Sequence, residues 1–373
     1  MKFTVQKDII NNALNIVSKA AALRGIQPVL SNVLIETLEK NELKLYATDL
    51  DLAIEMKISA EILETGSITL PAKKMNEIIS KLSSEKVDFK LDKEINIMQI
   101  KCGSSKFDIK GIASSEFPLV KYPEIDDYVD IEIESLLKAI KQTIFATATY
   151  DMNNVLSGVL CKVYENTLEM AALDGNRLAR VKEEIKNEDN KSFSVIIPSR
   201  TLKEFVSVLS DVNYINDEKV SIIVKNSQIL FKLKDRFITS RLIEGHFPDY
   251  EQLIPLSYSK KALIHKDKLL STLDRVSTLV NEMTNIVKFS FNNDNLKITA
   301  NTPDLGDSYD ELFVDYKNES MDIAFNYRYI QDFLKITESE NVIIEMDRSL
   351  SGVLYKSEDK NDAICLIMPV QLN

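Results

Sequence analysis

Thr48-Asp49-Leu50-Asp51 closes an apolar, strand-like run, LKLYATDLDLA, from Leu43 to Ala53. Two carboxylates one residue apart are hard oxygen ligands of the kind that Mg²⁺ takes. The same pair also fits a charged turn between strands, because Asp accepts hydrogen bonds from the backbone two residues on. Other residue types narrow the chemistry. The chain has two histidines, His246 and His265, which leaves little for His-based metal clusters or triads. Cys102, Cys161 and Cys365 are widely spaced and lack CxxC spacing, as expected of buried thiols in a reducing compartment. Nine glycines and no GxxxxGK or GxGxxG motif give no phosphate-cradling loop. No catalytic residue, resident metal or cofactor is expected.

The elements that hold the Asp pair settle which reading to prefer. The run recurs as LEMAALDGNRLA (168–179) and as LKITANTPDLGDS (296–308), with Asp49, Asp174 and Asp304 in one slot. Only one carboxylate survives in all three copies, which favours the turn. Each copy follows an amphipathic helix pattern: Lys7–Ala20 with Ile10, Leu14 and Val17, Glu134–Thr149 with Leu137, Ile140 and Ile144, and Lys266–Asn281 with Leu269, Leu273 and Val276. A strand and second helix come next: SITLPAKKMNEIISKLS, SVIIPSRTLKEFVSVLS and DIAFNYRYIQDFLKIT. Alternating strands complete each unit. The expected fold is α+β, a threefold repeat of two helices with antiparallel sheet. Pro-bearing joints at 114–126 and 244–255 divide the 373 residues into expected domains 1–121, 128–253 and 255–373.

Net charge is −11, so bulk attraction to nucleic acid is excluded and any DNA contact needs a segregated basic surface. The six helix patterns provide one. They hold fourteen basic residues against seven acidic, a surplus of seven, which leaves the rest of the chain at −18. Three like units in a row have unlike ends, so copies associate head to tail, and such contacts close into rings when the rotation allows. Basic helices inside such a ring suit sequence-independent phosphate contact. The competing readings are a metal enzyme using Asp49 and Asp51, and a repeat scaffold that binds only proteins. The N-terminus has no signal-peptide pattern and no segment approaches a membrane span, so a cytoplasmic chain is expected.

The whole chain, in order, resembles the bacterial β sliding clamps, the processivity subunits of replicative DNA polymerase. MKFTV, TDLDLAI, LPAKKMNEII, DGNRLA, FPDYEQLIP, LKITANTPD and IMPVQL carry the resemblance. It implies a non-catalytic homodimer of three-domain chains that encircles duplex DNA, tethers the polymerase catalytic subunit, and is opened by a clamp loader. It implies DNA contacts at Arg24, Lys73, Lys74, Thr149, Asn153, Asn154 and Arg200. It places a groove for the peptide motifs of clamp-binding proteins at Leu173, Gly175, Arg177, Leu178, Pro248, Leu253, Tyr329, Leu350, Leu366, Met368 and Pro369. It places the subunit interface at Lys74, Lys106, Thr278, Leu279, Asp304 and Asp307, with Asp310 and Glu311 adding negative charge nearby. Asn176 and the tail Val370-Gln371-Leu372-Asn373 depart from the family pattern, which implies an altered peptide preference.

Overall fold

The structure is a computed structural model that describes residues 1–22, 27–83, 85–120, 127–149, 154–210, 218–303, 305–359 and 363–371. Its helices are α1 (Lys7–Val17), α2 (Ala72–Lys81), α3 (Ile133–Lys141), α4 (Ser199–Ser210), α5 (Lys266–Val276) and α6 (Tyr327–Ile336). The apolar spacing that forms α1 and α5 also buries them. Ile10, Leu14 and Val17 lie in one core; Leu269, Leu273 and Val276 lie in another.

Helices α1, α3 and α5 are shorter than the apolar patterns imply. Both α1 and α5 end in a 3₁₀ turn, Ser18–Ala20 and Ser277–Leu279. Helix α3 stops at Lys141, and the Thr143 hydroxyl then donates back to the Ala139 carbonyl at 2.8 Å, a bond that competes with helix continuation. Its buried face is also turned from the expected one. Leu136, Ala139 and Ile140 are buried, whereas Leu137 lies at the edge. Pro71 and Pro198 each end a strand immediately before a helix. The third unit has Asn326 at this place, and its side chain accepts the Arg328 amide at 3.0 Å.

Two compact units emerge, residues 1–133 with 200–242, and residues 134–199 with 243–373. The division cuts through the central repeat. In the first unit, a five-stranded sheet runs 61–64, 2–6, 86–92, 97–102, 105–110. An eight-stranded sheet runs 129–132, 219–225, 228–232, 236–241, 52–59, 42–48, 32–37, 67–71. The second unit has an eight-stranded sheet, 193–198, 158–164, 167–173, 177–184, 364–367, 353–357, 341–346, 260–265. Its four-stranded sheet runs 306–313, 295–302, 286–292, 321–326. The named strand pairs are all antiparallel, which matches the α+β expectation.

One pairing rule builds both eight-stranded sheets. The strand that follows the Asp turn of one repeat pairs with the last strand of the next. Leu52–Ser59 thus pairs with Arg236–Arg241, with Ile54 opposite Ile238. Arg177–Glu184 pairs with Ile364–Ile367, with Leu178 opposite Leu366. The equivalent strand of the third repeat, Gly306–Phe313, and the last strand of the first, Ser105–Lys110, are sheet edges. Among the described residues neither edge is covered: Tyr309 and Phe313 are each 68% exposed.

Candidate functional site

The Asp slot is a turn in both described copies. Asp49 Oδ1 accepts the amides of Asp51 (3.2 Å) and Leu52 (2.9 Å), and Leu50 between them has φ +83°. Asp174 Oδ1 accepts the amides of Asn176 (2.9 Å) and Arg177 (3.0 Å), with Gly175 at φ +90°. The second carboxylate oxygen goes to a guanidinium each time: Arg200 for Asp49, and Arg177 Nε at 3.1 Å for Asp174. These hydrogen bonds account for Asp49, so its spacing to Asp51 follows from hairpin geometry rather than from ligand geometry. Asp304, the third copy, lies outside the described residues.

Arg200 therefore anchors the turn, with its side chain still 42% exposed. Lys73 and Lys74 are exposed in the first turn of α2. Lys74 is 3.0 Å from Glu77, and hydrogen bonds from Lys74 and Lys81 hold the Glu77 carboxyl below its usual range. Lys73 has no carboxylate partner among the described residues. Thr149 is exposed. Asn154 is exposed too, but its side-chain carbonyl caps a 3₁₀ turn through the Leu156 amide at 3.0 Å, leaving only its amide NH₂ to reach outward. Arg24 and Asn153 lie outside the described residues.

The apolar groove residues gather in the second unit. Strand register places Leu173 opposite Leu178, Leu178 opposite Leu366, and Leu366 opposite Leu354. A row of four leucines thus crosses four neighbouring strands on one sheet face, each 2–6% exposed. Phe247, Tyr250 and Ile254 of the joint, and Tyr258 just after it, belong to the same cluster. Leu253 (50% exposed), Leu350 (58%) and Met368 (42%) leave apolar surface in water, and Pro248 is exposed as well. Pro369 is half-buried, and the Met368 amide donates to the Asn176 carbonyl at 2.8 Å. Gly352 keeps the floor close. A Cβ there would meet Leu366 Cδ1 at 3.1 Å and Met368 Sδ at 3.3 Å. Gly175 is exposed, with nothing within 4 Å of where its Cβ would stand.

The Arg177 side chain, expected at the groove, is held by two carboxylates and two aromatic rings. It is 10% exposed, and its guanidinium lies 4.4 Å from the Tyr329 ring centre and 5.4 Å from that of Phe145. It pairs with Asp174 at 3.1 Å and Asp332 at 2.6 Å, and donates to the Phe145 carbonyl. A planar, always-charged fork suits this cage, because it pairs in its plane and stacks on its faces. Tyr329 is half-buried beneath it, and desolvation raises its hydroxyl pKa.

The joint is tied down separately. Glu169, 2% exposed, accepts the hydroxyls of Tyr250 at 2.8 Å and Tyr164 at 3.0 Å. Lys162 donates to Tyr250 at 3.3 Å. Sequence reading missed Leu354, Phe247, Tyr250, Ile254, Tyr258, Phe145 and Glu169. The alternation in VLYKS and the aromatics of FPDYEQLIP were the available signals.

Of the interface residues, Lys106 is exposed on the edge strand Ser105–Lys110, and Asp307 is exposed on the edge strand Gly306–Phe313. Thr278 is exposed and donates to the Arg275 carbonyl at 2.8 Å. Leu279 is half-buried, and its carbonyl accepts the Thr302 hydroxyl at 2.7 Å.

The described residues thus combine repeated two-helix units, two open sheet edges and a leucine floor with an exposed apolar rim. Comparison with known proteins gives the family. The models for the N-terminal, central and C-terminal domains of the DNA polymerase III beta subunit match residues 1–121, 130–249 and 251–371. Beta sliding clamps of Synechocystis sp. and Staphylococcus epidermidis are each 31% identical across the whole chain, covering 100% and 99% of those relatives. The crystal structure of a DNA polymerase sliding clamp from Bacillus subtilis superposes with TM-score 0.94 at 29% identity. That of a Pseudomonas aeruginosa sliding clamp bound to griselimycin gives 0.93 at 29%; both cover 100% of each chain. The chain belongs to the beta sliding clamp family, the beta subunits of DNA polymerase III, which are non-catalytic processivity factors.

Proposed function

We propose that two copies of this chain close head to tail around duplex DNA and hold the replicative polymerase on it. The carrying observation is the pairing rule. It is satisfied at two junctions and unsatisfied at Gly306–Phe313 and Ser105–Lys110. A second copy satisfies both edges, since an exposed edge strand is a template for another strand. The edges also differ in charge: Lys106 and Lys110 on one, Asp307, Asp310 and Glu311 on the other. Exposed Tyr309 and Phe313 add apolar area, while Lys74, Thr278, Leu279 and Asp304 belong to the same proposed contact.

DNA is held by phosphate contacts from Lys73 and Lys74, with Arg24, Thr149, Asn153, Asn154 and Arg200 as further proposed positions. Such contacts are sequence-independent and salt-sensitive. The leucine row and its exposed rim support a groove for apolar anchors of partner peptides: polymerase catalytic subunit, clamp loader and other clamp-binding proteins. Leu253, Leu350, Met368 and Pro248 are its accessible members. This activity belongs in the cytoplasm, beside the chromosome. Sedimentation of Tyr309→Asp/Phe313→Asp tests the closure. The proposal expects dimers of the parent chain and monomers of the variant. A dimeric variant with unchanged affinity overturns it.

A further inference from the structure

The second unit holds a polar cleft of about 470 Å³, lined by residues distinct from the leucine row. Phe333, Ile336 and Ala363 give it an apolar side, while Lys138, Lys182, Glu183, Glu184, Glu338 and Asp359 supply its charges. Four carboxylates against two ammonium groups leave the lining at −2. Both lysines are already engaged, Lys138 with Glu183 at 2.8 Å and Lys182 with Glu169 at 3.8 Å. Glu184 and Glu338 are exposed and make no ion pair among the described residues. The last turns of α3 and α6 meet here, through Lys138 and through Phe333 and Ile336. Helix C-termini carry partial negative charge, which favours cations. Gln142, 5% exposed, also lines the cleft, and its Oε1 has no hydrogen-bond partner among the described residues. A buried acceptor without a donor costs stability that a ligand N–H would recover.

We infer that this cleft binds an organic polyamine, its ammonium groups on the Gln142 carbonyl and the Glu184 and Glu338 carboxylates, its methylenes along Phe333 and Ile336. An anion is disfavoured by the lining charge and the helix ends. A bare metal ion is disfavoured because no three carboxylate, His or Cys groups converge among the described residues. A methylene-linked diamine instead spans separated carboxylates.

Calorimetric titration of the full chain with spermidine tests this. The inference expects one saturable site. Glu184→Gln/Glu338→Gln weakens it, by about fivefold for each carboxylate removed, the upper end for an exposed ion pair. The charge-matched control Glu42→Gln/Glu61→Gln leaves it unchanged. Gln142→Met weakens binding by about tenfold, the scale of one hydrogen bond, while raising the thermal midpoint, because an unpartnered acceptor is gone. Equal spermidine affinity in the parent chain and both cleft variants overturns the inference, as does the same loss in the Glu42/Glu61 control. Magnesium chloride displacing spermidine at equal concentration would also overturn it, since the site would then be a metal site.

Discussion

Arg177→Ala separates two jobs for one arginine. If Arg177 contacted partner peptides, the variant would lose affinity and keep its stability. The geometry expects the reverse order. The side chain is 10% exposed, with two carboxylates within 3.1 Å and two aromatic ring centres within 5.4 Å. Removing one partner of a buried ion pair costs about 3–5 kcal/mol. Asp332 is 38% exposed and recovers hydration, whereas Asp174 is 14% exposed and recovers little. The loss therefore sits at the lower end, about 3 kcal/mol, including about 1 kcal/mol of cation–π attraction. Arg177→Lys retains the charge without the fork and recovers under half of it. Urea unfolding with an unchanged slope measures the loss. Hydrogen exchange at 177–184 and 364–367 locates it. A stability change below about 0.5 kcal/mol, ordinary for a surface substitution, with a tenfold loss of peptide affinity would refute the cage.

Further outcomes follow from other parts of the chain. Tyr250→Phe removes a donor from buried Glu169 and costs about 2 kcal/mol by thermal unfolding, the scale of a hydrogen bond to a charged group. Burial pushes the Cys161 and Cys365 thiols up to about 12, so the native chain leaves both unmodified by iodoacetamide at pH 8, as mass spectrometry of peptides will show. Lys288, 2.7 Å from Asp322, holds that carboxyl below its usual range. Its contribution is present above the unfolded carboxylate value of about 4 and is lost as pH falls below it; Asp322→Asn removes that part of the acid dependence. Gly175→Ala costs about 1 kcal/mol, a purely conformational penalty of its positive φ, since its Cβ meets nothing.

The helices and repeats were legible because their signals are local. Ile10, Leu14 and Val17 announce α1 by spacing, and the recurring Asp49, Asp174 and Asp304 announce the period. Helix ends were less legible, since the Thr143 back-bond that accompanies the end of α3 depends on side-chain geometry. The leucine row was legible only in part. Leu173 and Leu178 face each other across a short turn, but their continuation to Leu366 and Leu354 depends on pairing between distant strands. Arg177 and Arg200 carry the general lesson. Their charge was visible in the sequence, while the carboxylates that claim them lie on other turns and helices. The sequence alone did not show that each arginine also anchors a turn.

The central claim is that this chain holds DNA by encircling it. The most direct measurement is retention on nicked circular DNA, loaded by a competent clamp loader at moderate salt, before and after one linearising cut. The account predicts stable retention on the circle and loss from the ends once it is cut. Equal retention on both forms would contradict it, because the protein would then be bound by contact rather than by topology.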